Sequence, residues 1–355
     1  MCIRDRKETL VRLYEKYIVN CRERGYSKAL TNEVWRQVKS FSGYSFCKAH
    51  SASFAVESFQ SLYLKTYFPI EHAVAVTNNF GGFYKSEFYL HEARVHGATL
   101  HPPCVNESQW LVSLQGTAVY IGFVFIKEIH RSVINDLLLE RLKNGSFKNL
   151  KDFTQRIEIS TIQLDLLIRI GAFRFTGKSK CELMWEKGAF FNQTTKNGAK
   201  NTSVKHLSLF TDETDDFQIP KLEEDEYDQA FDEIELLGFP LCSPFQLLKD
   251  KRIIDKTILT ADLNRHIGRT VKMLGYYVCR KNVRTVKGDM MAFGTWIDRE
   301  GKYFDTVHFS QSLTRFPLRG KGIYLIEGRV VQEFDFPSVE VTRLFRQAYR
   351  TDGRF

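Results

Sequence analysis

Lys48 and His50 are the first pair of side chains along the chain whose types and spacing could do chemistry. They stand on a polar stretch, 45–51, directly ahead of aromatic and apolar residues that repeat at helical spacing as far as Pro69. Unpaired amides at a helix N-terminus attract anions, so a lysine and a histidine on the loop before it could hold a phosphate. The alternative is a solvated loop that leads into a buried helix.

A second group of basic and aromatic side chains accompanies a period-two pattern in the last part of the chain. The pattern predicts five strands, over 271–280, 291–297, 303–309, 323–331 and 338–344. Gly275 would permit the sharp bend that closes a small OB-type barrel. Such barrels bind single strands with aromatic platforms and basic loops. The candidates for that contact are Tyr276, Arg280, Lys281, Arg284, Lys287 and Trp296. Trp296 could equally pack in the core.

The charge of the chain is unevenly distributed. Its net charge is +9, yet residues 211–235 hold twelve acidic side chains and one lysine, which leaves +20 for the rest. Such a balance fits a polyanion partner, although a soluble protein can also be basic without one. The acidic run is typical of a solvated face or spacer, so we assign it no metal.

The sequence lacks the patterns that are typical of membrane-spanning, secreted, zinc-binding and disulfide-rich proteins. No apolar run approaches the ~20 residues of a membrane-spanning helix, and no signal peptide is visible. The seven cysteines include no CxxC pair, which predicts reduced thiols in a cytoplasmic protein and neither a zinc site nor a disulfide framework.

Between the two basic groups the pattern is helical. Helices are predicted over 69–79, 83–96, 126–142 and 160–170. A capping box opens the last of them at Ser160, and Gly171 ends it. Paired short helices with glycine turns grip a DNA backbone when the turn amides meet a phosphate. Gly171 is therefore a candidate phosphate contact.

An apolar cluster follows a polar stretch that predicts a mobile linker, 192–204. The cluster consists of His206, Leu207, Ser208, Leu209 and Phe210. Exposed apolar residues on a flexible segment often insert into a partner's pocket. The alternative is that the segment docks onto its own domain.

Several stretches share their motifs with one known family. The first contains Phe41, Gly43, Tyr44, Phe46, Lys48, His50, Lys65 and Pro69. The second contains Glu92, Ala93, Arg94, Pro102, Pro103, Val105, Asn106 and Ser108. The hairpin turn adds Ile168, Gly171, Ala172 and Phe173, and the barrel adds Gly288, Asp289, Met291, Ala292, Phe293 and Asp298. On these motifs the chain resembles the C-terminal part of the alpha subunit of bacterial DNA polymerase III, a C-family replicative polymerase.

The resemblance implies an α+β multidomain chain whose mainly helical first two thirds precede a five-stranded OB-type barrel. The implied domains are the end of the polymerase fingers at 1–79, tandem helix-hairpin-helix units at 80–191, a linker at 192–258 and the barrel at 259–355. It adds Lys65 to the phosphate contacts. The first hairpin has Glu128 and His130 in place of the family's glycines, so we expect it to pack and not to bind DNA.

The function implied is that of a fragment of a DNA-directed DNA polymerase. The segment from His206 to Phe210 is similar to the pentapeptide with which bacterial polymerases hold the sliding clamp. The expected partners are primer-template DNA, single-stranded template, the clamp and other replisome subunits. The parent enzyme uses Mg²⁺ on palm aspartates. No palm motif lies within these residues, so we expect no catalytic residue, cofactor or synthesis from this chain alone.

Two other functions stay open from the sequence. One is a fragment of the error-prone branch of the same family, whose members often lack the clamp motif. The other is a standalone, non-catalytic OB-fold adaptor for nucleic acid. The helical start of the chain, without a cap at residue one, also predicts that it is the C-terminal portion of something longer.

Overall fold

The computed structural model describes residues 7–41, 48–195, 225–285, 288–333 and 335–353. The chain divides into two compact units, Met1–Phe68 and Pro69–Phe355. The domain limits inferred from the sequence are finer than this division and stay a prediction.

The first unit consists of three helices. They are α1 (Lys7–Glu23), α2 (Lys28–Phe41) and α3 (Lys48–Tyr67). Trp35 of α2 packs against Tyr14 and Tyr17 of α1, with ring centroids 5.0 and 5.4 Å apart. All described side chains of α3 are exposed, so the buried-helix alternative is wrong. Because α3 begins at Lys48, that residue and His50 lie in its first turn and not on a preceding loop.

The second unit opens with a helical part. Its helices are α4 (Pro69–Asn78), α5 (Ser86–Val95), α6 (Arg131–Asn144), α7 (Leu150–Arg156), α8 (Thr161–Arg169), α9 (Lys180–Thr195) and α10 (Asp228–Leu236). A three-stranded sheet has the order β1 (Thr99–His101), β3 (Ala118–Tyr120), β2 (Ser113–Gln115). Phe153 meets both Phe147 and Phe173 edge to face, at centroid distances of 4.9 and 5.0 Å, in the centre of the core.

Local chemistry sets where these helices start. The Ser160 hydroxyl accepts a hydrogen bond from the Gln163 amide, as the capping box predicts. Helix α6 begins five residues later than predicted, because Glu128 takes a left-handed φ of 62° and breaks the helical path. Helix α5 begins three residues later than predicted, so residues 83–85 belong to a loop.

The last part of the second unit is a closed five-stranded barrel. Its strands are β4 (Thr270–Arg284), β5 (Met290–Ile297), β6 (Tyr303–His308), β7 (Ile323–Glu333) and β8 (Phe336–Arg346), with α11 (Ser310–Arg315) between β6 and β7. The order around the barrel is β4-β5-β6-β8-β7. This connectivity, with one helix after the third strand, is that of an OB-type barrel. The predicted fold class is confirmed.

Gly275 lies where β4 changes partners. The strand pairs with β7 up to Tyr276 and with β5 from Tyr276 onward. A Cβ at Gly275 would lie 2.9 Å from Cζ of Phe304 and 3.0 Å from Cβ of Trp296. The glycine therefore serves the close packing of the interior as well as the bend.

Among the described residues, no helix has the length and apolar character that a membrane span requires.

Candidate nucleic-acid interface

Trp296 points into the barrel. Its side chain is 0% exposed, and its Nε1–H donates to the Thr306 hydroxyl at 2.7 Å. The ring meets Tyr324 edge to face, with centroids 5.3 Å apart. Of the two interpretations of Trp296, the structure shows packing, because a buried indole offers no face to a base.

Tyr276 points out of the barrel but is covered by α5. Its ring centroid lies 6.3 Å from that of Phe88, and its hydroxyl donates to Glu87 at 3.4 Å. Burial, followed by the nearby Glu87 carboxylate, raises the pKa of the phenol well above its ordinary value. The predicted nucleic-acid contact of Tyr276 is therefore replaced by a contact between the barrel and the helical part.

The predicted basic residues lie at the β4–β5 end of the barrel. The last five residues of β4 include three exposed cations, Arg280, Lys281 and Arg284. Strand register places Lys281 opposite Phe293, whereas Arg280 and Arg284 lie opposite Gly294 and Met290 on the other side of the ribbon. Lys287, which follows β4 in the sequence, lies outside the described residues. The ribbon therefore carries cations on both of its sides.

The outward face of β5 and β6 carries the exposed aromatic that the sequence prediction missed. Because Trp296 and Gly294 point inward, Phe293 and Thr295 must point outward. Phe293 is 43% exposed and pairs across the strands with Val307. The period of two alone could have identified it, once Trp296 was assigned to the core. We call this surface, formed by Phe293, Thr295, Asp305 and Val307 with Lys281 beside it, the outer face.

One acidic side chain lies on the outer face. Asp305 accepts a hydrogen bond from the Thr295 hydroxyl at 2.8 Å, which fixes the carboxylate toward its neighbouring strand. Tyr303, at the far end of β6, is held by a hydrogen bond to Glu92, and burial raises its pKa. The outer face is thus an aromatic and hydroxyl-bearing surface with Lys281 at one end.

The turn of the second hairpin has no spare amide at Gly171 or Ala172. The Gly171 N–H donates to the Ile168 carbonyl and the Ala172 N–H to the Leu167 carbonyl, both at 2.9 Å, as in a Schellman cap. Gln229 of α10 lies against Gly171, 3.4 Å from where a Cβ would be. The predicted phosphate contact of Gly171 is therefore not supported, because its amide is already bonded within the chain.

Helix α10 supplies the anion at this hairpin. Asp232, with a side chain 1% exposed, accepts from Arg169 and from Lys180, each at 2.8 Å. Glu235 forms a second ion pair with Arg169. The cations of the second hairpin are thus neutralised by carboxylates of the same chain.

The first hairpin is tied to the same helix. Lys127 donates from its backbone N–H to the Leu236 carbonyl at 2.9 Å and from Nζ to the Glu235 carbonyl at 2.6 Å. Gln163 bridges the turn, since it donates to the Glu128 carbonyl and accepts from the His130 N–H. The expected packing role fits these contacts.

The predicted phosphate contacts of the first unit lie far apart. His50 is exposed, with its ring centroid 4.4 Å from that of Phe54. Lys65 is exposed in the last turn of α3, about 22 Å along the helix from His50. The side chain of Lys48 lies outside the described residues, as does the whole clamp segment of His206, Leu207, Leu209 and Phe210.

Comparison with known proteins finds a helix-hairpin-helix motif in the helical part and DNA polymerases that resemble most of the chain. A family model described as a helix-hairpin-helix motif matches residues 97–183. The alpha subunit of DNA polymerase III from Borreliella burgdorferi is 28% identical over 87% of this chain. That from Aquifex aeolicus is 26% identical over 83%. An error-prone DNA polymerase from Mycobacterium tuberculosis is 30% identical over 46%.

The chain spans about a quarter of the length of the polymerase III subunits it matches, 28% and 24% for these two. Among solved structures, the second OB-fold domain of replication protein A from Methanococcus maripaludis matches 24% of this chain and 91% of its own, with a TM-score of 0.19 and 13% identity. The barrel assignment rests on strand order instead. Over most of its length, the chain resembles the C-terminal part of the alpha subunit of bacterial DNA polymerase III.

Proposed function

We propose that this chain is a DNA-holding segment of a DNA-directed DNA polymerase of the polymerase III alpha type. In this proposal the barrel binds single-stranded template. The observation that carries it is the outer face of the OB-type barrel, where the exposed Phe293 lies beside Lys281. Exposed aromatic rings flanked by cations bind single strands by stacking and by phosphate neutralisation. The polymerase relatives support DNA as the polyanion.

The test is binding of a fluorescent oligothymidylate, measured by anisotropy at two salt concentrations. Phe293→Leu keeps the apolar bulk but removes the stacking ring, so we expect affinity to fall about fivefold or more. Lys281→Gln should also weaken binding and lower the salt slope by about 0.7. Lys302→Gln, at an exposed lysine on the β5–β6 turn, is the matched control. Equal affinity of all four proteins would remove the outer face from the proposal.

We propose in addition that the segment from His206 to Phe210 binds the sliding clamp. The support is its sequence, with Leu209 and Phe210 as an apolar anchor after a polar stretch. His206 stands where the clamp-binding pentapeptide usually has glutamine.

Clamp capture tests this second proposal. The clamp is immobilised, and the chain is compared with the Leu209→Ala, Phe210→Ala double variant. We expect at least a tenfold loss of affinity, because each anchor side chain buries apolar surface worth about 1.5–3 kcal/mol. Ser208→Ala serves as the control within the same segment. Undiminished capture of the double variant would eliminate the motif.

The error-prone branch is a second candidate for the parent polymerase. It is favoured by the 30% identity to the mycobacterial enzyme, which exceeds the identity to either polymerase III subunit but covers about half as much of the chain. Clamp capture bears on this choice as well, since the clamp segment is expected in the replicative branch.

A further inference from the structure

Three aromatic side chains are displayed on the loop between α4 and α5. Phe80, Phe83 and Tyr84 are all exposed, and Phe83 is 78% exposed, the second most exposed of the large apolar side chains described. Apolar rings in water have an unfavourable free energy, which a ligand with flat faces would lower. Lys85 follows at once and is exposed too.

The shape of this loop is fixed by α5. The Tyr84 N–H donates to the Tyr89 hydroxyl at 3.2 Å, and the rings of the two tyrosines lie 6.2 Å apart. Gly82 has a φ of 94°, and a Cβ there would come within 2.0 Å of the Tyr89 hydroxyl. Only glycine fits this approach, so the loop presents Phe83 in a defined place.

Helix α5 in turn holds the loop against the barrel. Nε2 of His91 lies 2.9 Å from the Gly301 carbonyl, and its ring meets Tyr303 edge to face at 5.9 Å. Glu87 contacts Tyr276 and pairs with Lys321. The loop and the barrel therefore form one surface.

Tyr84 lies at the edge of the outer face. Burial raises the pKa of its phenol, and the proximity of Cys279 and Asp305 adds to this rise. Cys279 and Asp305 flank Thr295 on the two neighbouring strands. Thr295 in turn is two residues from Phe293, on the same face of β5. The aromatic surface thus continues from Phe293, past Thr295 and Tyr84, to Phe83.

We propose that single-stranded DNA bound on the outer face continues onto this loop, where successive bases stack on Phe83 and Tyr84. The inference rests on the proposed function and extends it to a site outside the barrel. Single-stranded DNA is favoured over a peptide because separate rings line one continuous track, with Lys281 at one end and Lys85 at the other.

The test uses two oligothymidylates, one of about 5 and one of about 14 nucleotides, which lie near the two ends of the range of site sizes of OB-type barrels. Phe83→Leu removes the ring and retains a side chain of similar bulk. We expect it to weaken binding of the longer oligonucleotide about fivefold to 20-fold and to leave the shorter one unchanged, since the barrel alone can hold the short strand. Lys85→Gln should lower the salt slope by about 0.7 for the longer strand only.

Trp185→Leu is the matched control, because Trp185 is an aromatic on α9 that is 60% exposed. Thermal melting of each variant verifies that the fold is retained. If Phe83→Leu and Lys85→Gln bind both lengths like the unsubstituted chain while Phe293→Leu weakens both, the loop site is wrong and the proposed function stands. If the unsubstituted chain binds neither length, both proposals fail.

Discussion

Individual residues in the barrel core form a chain of polar contacts in an otherwise apolar interior. The Thr306 hydroxyl accepts from the Trp296 indole, donates to the Gly294 carbonyl at 3.2 Å and lies 2.9 Å from Nε2 of His308. Nδ1 of His308 is buried, and within the described part of the chain it has no hydrogen-bond partner. Burial lowers the pKa of His308 to about 4, so this imidazole is neutral in the folded barrel at pH 7.

The free energy of unfolding should therefore decrease as the pH is lowered from about 6.5 to about 4. Below pH 6.5 the unfolded chain protonates this histidine, whereas the folded chain resists until about pH 4. The unfolded state then binds more protons, and the free energy of unfolding should drop by roughly 3 kcal/mol across that range. Urea unfolding followed by tryptophan fluorescence at pH 7.5 and 4.5 measures the drop.

His308→Leu isolates this histidine from the other titrating groups. The variant cannot protonate at this position, so its loss of stability between the two pH values should be smaller by the same amount. An identical loss in the variant and the unsubstituted chain would show that His308 does not control the acid sensitivity.

Residue spacing predicted which positions are in the barrel but not always what they do there. Alternation would have been sufficient to place Phe293 and Trp296 on opposite sides of β5, but it did not decide which of the two faces the core. Tyr276 could not be assigned in the same way, because both sides of β4 are buried and the cover on its outer side, Phe88, is about 190 positions away in sequence. Long-range packing of that kind leaves no local signature.

At the scale of elements, α10 is the part of the fold with the least expected role. Helix α10 spans Asp228–Leu236 and contains the end of the acidic run. What the acidic run does not reveal is that Asp232 becomes buried between Arg169 and Lys180. Runs of acidic residues are usually solvated, and only the folded hairpin brings the two cations together.

Asp232→Asn should destabilise the helical part of the second unit by about 2–4 kcal/mol. The substitution leaves two partly buried cations without their shared counter-charge, and breaking such a pair is costly. Thermal melting measures the loss. Glu235→Gln is the control, because its half-exposed carboxylate should contribute less than about 1 kcal/mol. Equal effects of the two substitutions would contradict the assignment of Asp232 as the anchor.

At the scale of the second unit, Lys321 joins the barrel to the helical part. It pairs with Glu87 of α5, donates to the Gly238 carbonyl at 2.8 Å and lies over the ring of Tyr276, 5.9 Å from its centroid. Burial, which outweighs the attraction of Glu87, lowers the pKa of this lysine. No local sequence pattern indicates this contact, since its partners come from three separate parts of the chain.

Lys321→Met should weaken the contact between the barrel and the helical part of the second unit. Glu87, with a side chain only 7% exposed, would lose its cation, and we expect a loss of about 2–4 kcal/mol together with faster proteolysis between the barrel and the helices. Limited proteolysis with mass spectrometry locates the cuts. Lys302→Met is the control on the same barrel. If Lys321→Met changes neither the melting temperature nor the cleavage rate, the contact depends on apolar packing alone.

The barrel closes through a short parallel ladder. Strands β6 and β8 pair at Thr306 with Val339 and at Val307 with Glu340, whereas β7 and β8 pair along ten positions. This ladder of two residue pairs is the least stable of the barrel's strand pairings. Transient opening of the barrel should therefore begin there, and amide exchange should be fastest beside it. Because β6 also forms half of the outer face, a DNA strand bound across that face would keep this ladder closed.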